Sequence, residues 1–160
     1  MDNELLKSIE ETMELYHRKI KPDNRRWDVL SIVSEMSPGM DITYKQFGVG
    51  NNYNMFNPLI GEQIPDKKWD IIIMSQVIQY VYDFVGLLTR CHELLKDGGF
   101  LVIDCPFVQE YDKTSKHEDY WRISHKALQN LLNEIGFEYG NCGLINGHLT
   151  SALARKAKND

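Results

Sequence analysis

The sequence has no run of about 18 apolar residues, the length a membrane-crossing helix needs. Its opening, MDNELLKSIEETMEL, carries early acids and no apolar core, so it is not read as a secretory signal and a cytoplasmic protein is expected. Cysteine is scarce. Cys91, Cys105 and Cys142 are odd in number and lack metal-ligand spacing, which excludes a disulfide framework, predicts no metal site and suits a reducing compartment. Positive charge is outweighed, with 18 basic against 23 acidic residues and a net charge of −5, which argues against nucleic-acid or anionic-membrane binding. Internal repeats, low-complexity tracts and linker-like stretches are all missing, so the 160 residues read as one domain.

What is present is enough apolar material for a core: 42% hydrophobic and 11% aromatic residues. Residues 1–21 read as an amphipathic N-terminal helix, with Leu5, Leu6, Ile9, Met13, Tyr16 and Ile20 at steps of three and four. Residues 27–156 read as an α/β core. Within it, Val29 to Ile32, Asp70 to Met74 and Phe100 to Asp104 are short apolar runs expected of strands covered on both faces. A weaker strand pattern covers Ile42 to Phe47, and Gly48-Val49-Gly50 reads as a surface loop. Asp83 and Ser124 are N-cap residues for two helices, for which Gly98 and Gly136 are the expected stops. Phe137 to Ile145 and His148 to Lys156 flank Asn146-Gly147, a hairpin signal. Strand and helix alternation closed by a hairpin predicts a Rossmann-like three-layer sandwich, a mainly parallel sheet with an antiparallel C-terminal edge hairpin.

From Trp69 the residues become specific. Trp69-Asp70 opens an apolar strand, Val77 to Asp83 follows, and Leu95 to Gly99 reads LKDGG. Asp119 to Ser124 reads DYWRIS, and Gly136-Phe137 ends the last helix. In this order the segments resemble the C-terminal half of class I S-adenosylmethionine (SAM)-dependent methyltransferases. Among these they are most similar to small enzymes of glycan and cell-envelope pathways. The resemblance implies SAM as cofactor and a small-molecule or glycan intermediate as acceptor. It also departs from the family. The turn after Val29 to Ile32 reads VSEMSPG, with one glycine where the family has several, and Gln46 stands where the family has an acid. Gln79-Tyr80 replaces a frequent Glu-His pair, and only 41 residues separate Val29 from Asp70, too few for three full strand-helix steps.

The cofactor wall implied by the resemblance is Ser34, Glu35, Gly39, Gln46, Gly48, Met74, Ser75 and Gln76. On the acceptor side, Asp104, His117, Asp119, Tyr120 and Arg122 are expected over the carboxyl ends of the strands, where ligands sit in open α/β sheets. His117 reads either as a general base, being a histidine in the acceptor-side loop, or as a solvated loop residue. Arg122 reads as framing an acceptor or, preferably, as pinning the loop through Asp119. His17, His92 and His148 read as surface or helix-face residues. The rival functional reading is a non-catalytic methyltransferase-like binding or assembly module that has lost SAM. An apolar sheet edge leaves a homodimer open.

Overall fold

A computed structural model describes residues 3–20, 26–37, 51–113 and 115–158. Helix α1 spans Asn3–Ile20, strand β1 Asp28–Ile32, β2 Asn52–Phe56 and β3 Trp69–Ser75. A single 3₁₀ turn, Ile78–Tyr80, leads to α2, Phe84–Leu94. Then follow β4 (Leu95–Pro106), α3 (His125–Ile135), β5 (Phe137–Ile145) and β6 (Leu149–Lys156). Among the described residues the sheet runs β2-β1-β3-β4-β6-β5. The first four strands are mutually parallel, and β6 and β5 are antiparallel to their neighbours. This is the expected Rossmann-like three-layer sandwich with its antiparallel edge.

Strand alternation sorts the core into two halves. Val29, Ile71, Ile73, Val102 and Leu153 face α1, which buries Leu5, Ile9, Met13 and Tyr16 against them. Leu30, Ile72, Met74, Leu101 and Ile103 face α2 and α3, which contribute Leu88, Cys91, Leu128 and Leu132. Each such side chain taken out of water contributes about 1.5–3 kcal/mol, so both sheet faces need their helices. The caps are as the residue types dictate: Asp83 accepts from the Gly86 amide at 3.0 Å and Ser124 from the Ala127 amide at 3.2 Å. Gly136 closes α3 at φ 119°, and Asn146 and Gly147 turn the β5–β6 hairpin at φ 52° and 79°.

Two expectations need correction. Gly98 does not end α2. The helix stops at Leu94 because Leu95 turns extended and is fully buried beside Trp69, and Gly98 instead adopts φ 78° inside β4. The strand that pairs with β1 is Asn52–Phe56, later in the chain than the segment expected to be the second strand. Its polar, half-exposed sequence NYNMF becomes a strand by pairing Asp28 to Ile32 with Asn52 to Phe56. The segment from Ile42 to Phe47, with Gly39, Gln46 and Gly48, lies outside the described residues.

Candidate active site

The strand order reverses at β1. From β1 the chain goes to β2 on one side, then crosses to β3 on the other, so a crevice opens beyond the carboxyl ends of β1 and β3. The two rims are tied together. The Ser34 hydroxyl donates to the Gln76 carbonyl, and the Ser37 hydroxyl donates to the Ser75 carbonyl at 2.5 Å. Ser37 Oγ also accepts from the Ser34 amide at 2.8 Å, so one serine pair ties this edge together.

Gln76 occupies the left-handed region at φ 59°, unusual for a residue with a side chain. Two bonds to Asp104 hold it there: Gln76 N to the Asp104 carbonyl at 3.0 Å and Nε2 to Oδ1 at 2.8 Å. Ser75 Oγ donates to the same Oδ1 at 2.9 Å. Asp104 is fully buried, and burial pushes its carboxyl up to about 6 although Gln76 and Ser75 stabilise the ionised form. Asp104 is not an exposed carboxylate at the mouth of the sheet. β4 continues through Cys105 and Pro106, paired to Thr150 and Leu149, and these cover it. Its work here is to brace Ser75 and Gln76. Asp104 Oδ2 and Gln79 Oε1 are buried acceptors without a hydrogen-bond partner.

The acceptor-side residues divide. Arg122 grips Asp119 through two bonds, Nη1 to Oδ1 at 2.6 Å and Nη2 to Oδ2 at 2.7 Å. Its remaining donors reach the carbonyls of Gln109, Glu110 and Trp121, and Asp119 also accepts from the Asp112 amide at 2.8 Å. The pair therefore staples the β4–α3 loop. Tyr120 presents an exposed ring against Tyr82, centroids 5.2 Å apart, while its amide donates to the Gln79 carbonyl at 2.6 Å. That last bond brings the stapled loop over the end of β3. Tyr80 is buried there, its phenol donating to Asp112 at 3.2 Å and pushed up to about 12, first by burial and then by that carboxylate.

His117 does not point into bulk solvent. Its Nε2 lies 3.1 Å from Glu35 Oε1, so the loop after β4 meets the turn after β1 across the crevice. Thus Ser34, Glu35, Ser75, Gln76 and His117 gather at the carboxyl ends, whereas Met74 points away, buried against the α2 and α3 layer. Sequence reasoning did not single out Asn57, which follows the strand beside β1; its Oδ1 accepts from the Leu59 amide and its own amide donates to Glu62 Oε2, each at 2.9 Å.

Comparison with known proteins agrees with this architecture. Residues 11–139 match the family described as "Methyltransferase domain". Among solved structures the chain is similar to an S-adenosylmethionine-dependent methyltransferase from Mesorhizobium loti, at TM-score 0.59 and 13% identity, covering 91% of this chain and 98% of that one. It is also similar to a possible histamine N-methyltransferase from Thermotoga maritima, at TM-score 0.57 and 14% identity, covering 95% and 91%. A third is phosphoethanolamine N-methyltransferase 2 of Haemonchus contortus, solved with S-adenosyl-L-methionine, at TM-score 0.68 and 10% identity; here the match covers 92% of this chain and 53% of that one. No curated protein matches. At these identities the structures speak for the fold, and the family match extends over most of the chain: it belongs to the methyltransferase-domain family.

Proposed function

We propose that this protein is a SAM-dependent methyltransferase acting on a small-molecule or glycan intermediate. The observation that carries the reading is the cluster of polar groups at the β1/β3 reversal, on a chain of the methyltransferase-domain family. Its donor set suits this cofactor, which bears both an ammonium and a sulfonium. Ser34, Ser75, Gln76, Gln79 and Asp104 supply hydroxyl, carbonyl and carboxylate oxygens and no cation, and two of those oxygens are buried without a donor. Ser34 and the Ser75–Gln76 turn would hold the cofactor.

When bound, SAM supplies an electrophilic methyl group, transferred as the acceptor's lone pair displaces the thioether. The protein's own contribution is positioning, exclusion of water and, for an acceptor carrying a proton, a base. His117 is the candidate for that last task, and Tyr120 with Tyr82 offers an exposed aromatic pair for an acceptor. Thermal unfolding with SAM or S-adenosylhomocysteine tests the reading. At 100 times its dissociation constant, a ligand of the folded state should add about 2.7 kcal/mol. No stabilisation by either ligand at millimolar concentration sinks it and leaves the non-catalytic module.

A further inference from the structure

We infer that Glu35 is a positioning residue, not part of the cofactor wall: it holds the His117 imidazole as the Nε2–H tautomer, making Nδ1 the atom that takes a proton. This rests on the methyltransferase reading for its chemical meaning, though not for the tautomer itself. An ionised carboxylate only accepts hydrogen bonds. Nε2 lies 3.1 Å from Glu35 Oε1, an ion-pair distance at which a lone pair on Nε2 would face the carboxylate, so a neutral ring carries its hydrogen on Nε2 and its lone pair on Nδ1.

Both partners are anchored independently of each other. Glu35 lies between Ser34 and Ser37, whose hydroxyls fix this turn to the Gln76 and Ser75 carbonyls at the end of β3. His117 accepts support at its own amide, which donates to Ser115 Oγ at 3.1 Å, and two residues later the Asp119–Arg122 pair locks the loop. The ring is about one quarter exposed, so a ligand can reach it while Glu35 keeps its orientation. Two rigid elements thus hold one ring, the arrangement by which a third group orients a base.

The chemistry narrows the acceptor. A hydroxyl acceptor would pass its proton to Nδ1 as its oxygen bonds the methyl carbon and the methyl–sulfur bond breaks, whereas a protonated amine would give its proton to Nδ1 first, freeing the lone pair that attacks. The resulting imidazolium faces Glu35, and the proton leaves to water with product release. Only an acceptor that loses a proton, a hydroxyl or a protonated amine, gains from such a base; a thiolate does not.

The test is long-range ¹⁵N–¹H NMR of the full-length chain, with His117 assigned through His117→Gln. The expected neutral ring is protonated at Nε2 in the wild type, with the Nε2–H fraction falling in Glu35→Ala and recovering in Glu35→Asp. S-adenosylhomocysteine affinity, by calorimetry, should change less than about threefold in Glu35→Ala. A ring protonated at Nδ1 in the wild type, or an unchanged tautomer ratio in a folded Glu35→Ala, overturns the proposal. So does a tenfold loss of S-adenosylhomocysteine affinity with the ratio unchanged, which returns Glu35 to the cofactor wall. Methyl-labelled SAM offered hydroxyl-, amine- and thiol-bearing small molecules should label the first two classes; label on thiols alone overturns the acceptor assignment. If wild type binds no S-adenosylhomocysteine, the methyltransferase reading falls while the tautomer result stands.

Discussion

The two ends of the parallel strands treat their acids in opposite ways. At the amino ends, Asp28 opens β1 and receives Asn52 Nδ2 and Lys67 Nζ, each at 2.9 Å, while Lys96 bridges Asp28 and Asp70 at 3.3 Å. The Asn52 bond and then the Lys67 bond hold the Asp28 carboxyl down to about 2. At the carboxyl ends, Asp104 is buried among neutral donors and rises to about 6. One end spends its charges on mutual satisfaction. Beneath the Asp119–Arg122 staple the other keeps the Asp104 carboxylate without a cation, two oxygens without donors and a residue in strained backbone, which is where polar ligands find partners.

The largest effect expected on breaking this contrast comes from the loop over the carboxyl ends. Asp119 is almost wholly buried, so Asp119→Ala leaves Arg122 unpaired and should cost about 3–5 kcal/mol in urea unfolding. A loss under 1 kcal/mol would mean the loop is held without its staple.

Next comes the pH dependence. Asp104 has a folded pKa above its unfolded value of 3.8, so its contribution to stability is greatest below pH 4 and is lost as pH rises to about 6. The difference is about 3 kcal/mol, and Asp104→Asn should flatten that part of the stability–pH curve. Asp28 runs the other way: its contribution is present above pH 3.8 and is lost as pH falls toward 2. Equal slopes in wild type and Asp104→Asn between pH 4 and 6 would refute the assignment. The smallest effect is at the amino end, where Lys96 is partly exposed; Lys96→Ala should cost no more than about 1 kcal/mol, most visibly at low salt.

The parts of the fold legible from the sequence were those with strong local periodicity. The helix of Leu5, Ile9, Met13 and Tyr16, the runs DIIIM and FLVID, and the Asn146-Gly147 turn all declare themselves within a few residues. β2 did not, because NYNMF has little apolar content and owes its shape to β1. The candidate site was legible only in part for a similar reason. Gln76 and Ser75 could be placed because they follow a clear strand, but the burial of Asp104 depends on β6 pairing beyond it. The Glu35–His117 contact joins two turns far apart in sequence, and no local pattern encodes such a meeting.

The sheet order also dictates a sequence of events during synthesis. β5 leaves the ribosome before β6, yet among the described residues it joins the sheet only through β6, which pairs with both β4 and β5. Until Leu149–Lys156 emerges, the newly made β4 has an open edge on that side and β5 has nothing to pair with. The nascent chain therefore carries unpaired backbone along one of its most apolar strands, the kind of surface that chaperones capture and that aggregates when they do not. Substitutions that slow the Asn146-Gly147 turn should accordingly lower yield in cells more than they lower the stability of protein already folded.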